Sequence, residues 1–207
     1  MKNKGKMKRL IIIILLLIST VASGQKAQIC FSIDDMPVVS YGIKDSNYQK
    51  QIFNSIMNSL VKNEIPAIGF VNEGKMRKEA DGGRYQKELL KNWIKSGLEL
   101  GNHTYSHPDY NTTSCKEYTS DILRGEKILK EILSESGKSF KYFRHPFLHV
   151  GETKAKAYSL DLFLKEHGYK VAPVTIDNED YLFALAYNKA SVVKDTLLMS
   201  RIGLIIS

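Results

Sequence analysis

Short apolar runs alternate along the chain with longer segments in which apolar residues recur at helical spacing. Residues 47–63 carry one such face, because apolar side chains return every three or four positions from Ile52 to Val61. Residues 114–136 open with Ser-Cys-Lys-Glu, a capping box. The pattern predicts helices over 47–63, 84–95, 114–136 and 154–167, with Gly97 and Gly168 as stops, and strands over 27–33, 66–72, 98–104, 140–144 and 169–176.

Strands that alternate with helices are typical of an α/β domain with a mostly parallel sheet. Functional groups in such domains gather where the strands end. Polar residues of the kind found in active sites follow each predicted strand in turn: Asp34 and Asp35, Asn72 and Glu73, His103 and His107, Arg144 and His145, and Asp177 and Asp180. We therefore expect one site at this edge of the sheet.

Residues 1–24 have the three-part layout of a secretory signal peptide. A basic start, MKNKGKMKR, precedes an apolar run over 10–18 and the small residues STVASG. The run is shorter than the roughly 20 residues of a membrane span. We expect a secreted or periplasmic protein whose single domain is residues 25–207; the alternative is an uncleaved leader that anchors it to a membrane.

The net charge of +8 comes largely from this leader. It carries five of the 30 Lys and Arg and no acid, which leaves 25 bases against 22 acids. This nearly even number of basic and acidic residues gives no reason to expect a nucleic-acid partner. Cys30 and Cys115 remain, either as a disulfide or as two small buried apolar residues.

Two histidines lie four residues apart in HTYSH, at His103 and His107. Pro108 disfavours a helix at the residue before it, and Thr and Ser are weak helix formers, so we expect a loop. Such a loop can bring both imidazoles to one ion, although a solvated loop would have the same sequence. His145 and His149 are further candidate ligands, and His167 is expected to cap a helix.

Asp34 and Asp35 end a strand, where neighbouring side chains point to opposite faces. One carboxylate could then bind a metal while the other acts as a base, although Asp and Pro are also common in turns. One carboxylate and two imidazoles make a three-ligand site for a divalent metal. The guanidinium of Arg144 would keep a nearby aspartate ionised, and the acidic segment DNEDY suits a sugar site or a solvated turn.

Four segments in this order, FSIDDMP, HTYSH, RHPF and DNEDY, resemble the motifs of the polysaccharide deacetylases, the NodB-like carbohydrate esterases. The resemblance runs from about residue 28 to 185 and implies a distorted, incomplete (β/α) barrel. The site residues that it implies are the base Asp34, the metal ligands Asp35, His103 and His107, the catalytic residues Arg144 and Asp180, and the substrate-binding Pro146 and Tyr181. The metal implied is Zn²⁺, and Co²⁺ or Ni²⁺ would accept the same ligands.

The chain also departs from the family pattern. Met36 replaces a glycine, Tyr181 replaces a tryptophan, and additional residues precede Gly151. The family closes with a strand carrying Leu-x-His, whose histidine is the general acid, and no histidine follows Asp180 here. The expectation is therefore a C-terminally truncated domain lacking the last strand and helix.

Two functions follow from this reading. The first is metal-dependent hydrolysis of N- or O-acetyl groups on peptidoglycan, a chitin-like chain or xylan. The second is a non-catalytic metal- or carbohydrate-binding remnant of such an enzyme. A metal phosphoesterase is a third reading, which would need a second metal cluster or a glycine-rich phosphate loop.

Overall fold

The computed structural model describes residues 29–39, 45–76, 83–139 and 141–205, so the predicted signal peptide lies outside it. The strands are β1 Phe31–Met36, β2 Ala67–Val71, β3 Glu99–Asn102, β4 Tyr142–Phe143 and β5 Lys170–Val171. The helices are α1 Ser46–Lys62, α2 Glu73–Met76, α3 Arg84–Lys95, α4 Cys115–Arg124, α5 Lys127–Glu135, α6 Lys154–Glu166, α7 Asp180–Val192 and α8 Thr196–Ile205. None of these helices is long and apolar enough to cross a membrane.

The five strands form one sheet in the order in which they occur along the chain, and every neighbouring pair is parallel. The β2–β3 register pairs Val71 with Asn102, and the β3–β4 register pairs Asn102 with Phe143. The carboxyl ends of the three central strands therefore lie side by side. This arrangement confirms the predicted α/β class and matches an incomplete (β/α) barrel.

Several predicted elements differ in their bounds. The strands expected over 27–33, 98–104 and 140–144 are observed as Phe31–Met36, Glu99–Asn102 and Tyr142–Phe143. The strand expected over 169–176 shortens to Lys170–Val171, because Pro173 has no N–H for a sheet hydrogen bond. The helix expected over 114–136 divides into α4 and α5 at Gly125. A Cβ on Gly125 would lie 2.7 Å from the carbonyl carbon of Thr104, so the close approach of the histidine loop requires glycine there.

Helices α7 and α8 were not predicted. Both carry apolar residues on several sides, so their periodicity is weak, and Leu182, Val192 and Leu197 are exposed. Helices α7 and α8 contact each other. Residues 172–205 contain no strand.

Two groups of buried side chains hold the helices to the sheet. The larger lies between the first three strands and helices α1, α3 and α5, where Phe53 meets Trp93 edge-on at 5.7 Å. The smaller surrounds Phe143 of β4 and includes Tyr118 and Leu160 of the flanking helices. Cys30 is exposed and Cys115 half-buried, and both are free thiols, so neither a disulfide nor a buried pair forms.

Truncation of a core residue of α5 tests this packing. Leu129 is fully buried, so we expect Leu129→Ala to lower the free energy of unfolding by about 2–5 kcal/mol in urea denaturation. Leu123→Ala is the matched control, because 43% of Leu123 is exposed and its loss should change stability by about 0.5 kcal/mol or less. Equal losses from the two variants would contradict the assigned core.

Candidate metal centre and active site

The carboxyl ends of β1 and β3 bring three candidate ligands together. One ligand atom from each of Asp35, His103 and His107 lies within 4.8 Å of the other two. The loop after β3 stays attached to its neighbours, since the N–H of His103 donates to the carbonyl of Val71 at 3.1 Å. The N–H of Arg144 donates to Asn102 at 3.0 Å, which holds the end of β4 beside it.

His103 is almost completely buried, and its ring orientation is determined by one hydrogen bond. Its Nδ1–H donates to the carbonyl oxygen of Arg144 at 2.9 Å, so Nε2 faces the site. Burial lowers the pKa of His103 to about 4, which keeps the imidazole neutral and able to bind a metal. The half-buried His107 lies beside it with the ring centroids 4.9 Å apart, and burial also lowers the pKa of His107.

The expectation that Asp34 and Asp35 point to opposite faces is wrong. Asp34 Oδ2 lies 3.9 Å from His103 Nε2, and Asp35 Oδ1 lies 3.7 Å from His107 Nε2. The β1–β2 register shifts between Ile33 and Met36, and Asp35 has a φ of 63°. This irregularity interrupts the alternation of a flat strand, so both carboxylates face the histidines.

Lys75 of α2 forms an ion pair with Asp35, and sequence reasoning did not find it. Its Nζ lies 2.7 Å from Asp35 Oδ1. Burial pushes the pKa of Asp35 upward, but Lys75 and the two histidines hold it below its ordinary value. The carboxylate is therefore ionised and already attracts a cation, and with two neutral imidazoles it makes a donor set that fits a divalent metal.

Asp34 and Arg144 form the second part of the site. Arg144 Nη1 lies 3.5 Å from Asp34 Oδ2, while Nη2 donates to Ser32 Oγ at 3.0 Å. The guanidinium also lies 4.7 Å from the ring centroid of Phe70, a cation–π contact. Burial raises the pKa of Asp34 to about 6 although Arg144 opposes the shift, which suits a base working near neutral pH.

Asp121 of α4 holds the histidine loop from outside, and the sequence analysis missed it. Its Oδ2 accepts hydrogen bonds from the backbone N–H groups of Tyr105 and Ser106, each at 2.9 Å, and its Oδ1 accepts from the Ser106 hydroxyl. Inside the loop, the N–H of His107 donates to Thr104 Oγ1 at 3.1 Å. An acid on the helix after a histidine loop is a weak sequence signal, because nothing in the sequence specifies its partner.

Buried polar side chains support the same loop from beneath. Asn102 Nδ2 donates to the hydroxyl of Tyr169 at 2.7 Å, and that hydroxyl donates to Glu126 Oε1 at 2.6 Å. Asn102 Oδ1 accepts from the N–H of Thr104, and Asn72 Nδ2 donates to the carbonyl of His103. The residue before β5, the N-cap of α5 and the residue after β2 thus all restrain the residues around His103.

The segment after β4 forms one wall of the site. Pro146, predicted to shape a substrate groove, is buried in a short 3₁₀ turn, and the exposed side chain is Phe147. The ring of Phe147 lies 4.5 Å from that of His107, edge-on. Phe147 and Leu148 have φ values of 56° and 58°, an uncommon backbone for residues other than glycine.

The predicted site residues of DNEDY lie outside the ligand group. Asp180 is the exposed first residue of α7, and Tyr181 beside it is 57% exposed. Asp177 and Asp180 add through space to the rise that burial causes in the pKa of Asp34. Burial lowers the pKa of Arg144, and Asp34 and Asp177 partly oppose that shift. Their electrostatic influence reaches the Asp34–Arg144 pair, with Asp177 affecting both members.

The remaining three histidines lie outside the ligand group. His145 is buried with its ring 5.0 Å from Phe143, and burial lowers its pKa to about 4. His149 Nδ1 bonds to Asp109 Oδ1 at 2.7 Å. His167 ends α6 as expected and its Nδ1–H donates to the carbonyl of Phe163.

Residues 22–172 match the family model for polysaccharide deacetylase, about three quarters of the chain. The chain therefore belongs to the polysaccharide deacetylase family. The segment DNEDY and helices α7 and α8 lie after the matched part.

Relatives within this family include a peptidoglycan deacetylase and a chitin deacetylase. A peptidoglycan-N-acetylglucosamine deacetylase of Bacillus cereus is 23% identical over 75% of this chain and 47% of its own length, and a chitin deacetylase of Colletotrichum lindemuthianum is 26% identical over 61% and 46%. The chain thus spans about half the length of these curated relatives. The structure of peptidoglycan deacetylase PdaC from Bacillus subtilis covers 75% of this chain and 63% of its own, with a TM-score of 0.53 at 25% identity.

Removal of the Asp121 carboxylate should weaken the site without touching a candidate ligand. Loss of a residue that holds metal ligands in position typically lowers metal affinity about 10–100-fold. We therefore expect Asp121→Ala to raise the dissociation constant for Zn²⁺ by about tenfold or more. Competition with a chromophoric chelator measures this dissociation constant. Ser120→Ala on the same helix is the control, and an unchanged affinity in Asp121→Ala would show that the loop holds its shape unaided.

His145 should contribute to the pH dependence of stability. Its pKa is about 4 in the folded chain and near 6.5 when unfolded, so its contribution is complete above about pH 6.5 and is lost as pH falls towards 4. Urea denaturation with chelator present, at pH 7.5 and 5, should give a smaller loss for His145→Gln than for the unmodified chain. Equal losses of stability in the two chains would mean that folding does not lower the pKa of His145.

Proposed function

We propose that this chain is a metal-dependent deacetylase that removes N- or O-acetyl groups from a polysaccharide. The observation that carries the proposal is the convergence of Asp35, His103 and His107 beside the Asp34–Arg144 pair. The activities of the relatives, on peptidoglycan and chitin, support an N-acetylated sugar polymer as substrate. The leader 1–24 would export the domain 25–207 to the compartment where such polymers lie.

Asp35 and the Nε2 atoms of His103 and His107 would hold a divalent cation, most suitably Zn²⁺, with Co²⁺ or Ni²⁺ as substitutes. When bound, this cation supplies Lewis-acid polarisation of the acetyl carbonyl and acidifies a water. Three protein ligands leave further positions open, as in catalytic rather than structural sites.

The chain's own residues would then move the proton and place the substrate. Asp34, with its raised pKa, takes the proton from the attacking water, and Arg144 positions the carboxylate. The exposed rings of Phe147 and Tyr181 are apolar surfaces on which a sugar can stack, and the buried Pro146 begins the turn that carries Phe147.

Acetate release from acetylated chito-oligosaccharide, N-acetylated peptidoglycan and acetylated xylan tests the function and selects among the polymers. We expect activity to stop with a chelator and return with Zn²⁺. An inactive chain that still binds sugar tightly would be the non-catalytic remnant. Hydrolysis of phosphate esters without acetate release would favour a phosphoesterase.

Two substitutions separate the metal ligands from the base. His103→Ala should lose Zn²⁺ binding and activity together. Asp34→Asn should retain Zn²⁺, measured by chelator competition, while kcat falls by about 10²–10⁴-fold because the base is gone. An Asp34→Asn enzyme with normal kcat would assign the base to another residue.

A further inference from the structure

We propose that His149, held by Asp109, is the residue that gives a proton to the leaving group of the deacetylation. The inference rests on the proposed function. Breaking an amide C–N bond leaves an amine that must receive a proton as the bond breaks, and Asp34 is already assigned to the attacking water. A second proton carrier close to the metal centre is therefore needed.

The chain contains five histidines, all within the described residues, and four are unsuited to this task. His103 and His107 belong to the ligand group. His145 is 7% exposed, and His167 lies at the end of α6 with its ring stacked on Phe163. By contrast, the side chain of His149 is 42% exposed.

The ring of Phe147 lies near both His149 and the candidate ligand His107. The Phe147 ring is 4.5 Å from the His107 ring and 5.8 Å from the His149 ring, so one aromatic side chain separates the imidazole from a candidate ligand. A sugar stacked on the exposed ring of Phe147 would contact both His107 and His149. His149 lies in RHPFLHVG, the segment that is longer than the family pattern before Gly151.

The pairing with Asp109 determines which nitrogen can work. A carboxylate accepts hydrogen bonds, so Nδ1 of His149 carries the hydrogen in its 2.7 Å bond to Asp109 Oδ1. Nε2 is then the atom that presents and regains a proton, and the carboxylate stabilises the imidazolium. The N–H of Asn111 also donates to Asp109 Oδ1, at 2.8 Å, which holds the carboxylate in position.

Further bonds join the two loops that carry this pair. The N–H of Gly151 donates to Asn111 Oδ1 at 3.1 Å, and Lys156 Nζ donates to the carbonyl of Asn111 at 2.9 Å. Lys156 is thus a cation bonded to the loop that carries Asp109, and its Nζ also lies 3.7 Å from Glu152 Oε1. The loop bearing His149 is therefore attached to the loop bearing His107.

The proton balance is complete without another reactant. Water gives one proton to Asp34 and its OH group to the acetyl carbon, the C–N bond breaks, and the nitrogen takes a proton from Nε2 of the His149 imidazolium. The amine leaves with acetic acid, which releases its remaining proton to solvent and becomes acetate. Asp34 returns its proton to solvent, and His149 takes one up.

The test compares leaving groups that differ in their need for a proton. A chito-oligosaccharide amine must be protonated, whereas the phenolate of an aryl acetate leaves without a proton. His149→Asn keeps an N–H that can bond Asp109 but removes Nε2. We expect kcat on the oligosaccharide to fall by about 10²-fold or more, with a change below about threefold on the aryl acetate. Zn²⁺ affinity should stay unchanged, and His167→Asn is the matched control.

Each other result overturns the inference. Equal losses on both substrates would assign His149 a structural role, and no loss on either would mean that Asp34 or Lys75 returns the proton. An unmodified chain that hydrolyses the aryl acetate but not the oligosaccharide would lack a proton donor, while the proposed metal chemistry would stand. A chain inactive on both would refute the proposed function itself, and this inference with it.

Discussion

One hydrogen bond organises the site more than any other, the bond from His103 Nδ1–H to the carbonyl of Arg144. It joins the ends of β3 and β4, turns the imidazole so that Nε2 faces the carboxylates, and belongs to a residue that is almost entirely buried. Burial makes the bond strong, and it also keeps the ring neutral. The side chain of the same Arg144 lies beside Asp34, so the candidate ligand His103 and the proposed base Asp34 are positioned by neighbouring atoms.

The backbone around this bond is unusual in a way that supports a functional role. Among the described residues, eight other than glycine have positive φ, and five of them lie in the three segments that form the site. Such conformations cost about 1–3 kcal/mol each and persist where surrounding contacts enforce them. Around Thr104 and His107, those contacts are Asp121, the buried network of Asn102 and Tyr169, and the close approach of Gly125. The five residues are Asp35, Thr104, His107, Phe147 and Leu148.

Sequence patterns predicted the bounds of a helix where neighbouring residues alone determine them. The helix over 84–95 has the predicted bounds, and the capping box at Ser114 begins α4 as expected. The division at Gly125 was missed, because it depends on the backbone of Thr104, which is distant in sequence. Helices α7 and α8 were missed since their apolar residues do not keep to one face.

The sequence by itself determined the class of fold, the family and the residue types of the site, because strand-helix alternation and short motifs are written in neighbouring residues. Only the tertiary structure decided how those residues meet: that Asp34 and Asp35 face the same way, that Lys75 pairs with Asp35, and that His149 bonds to Asp109. Each of these depends on a strand irregularity or a loop-to-loop contact between segments far apart in the chain, and motif spacing carries no information about such contacts.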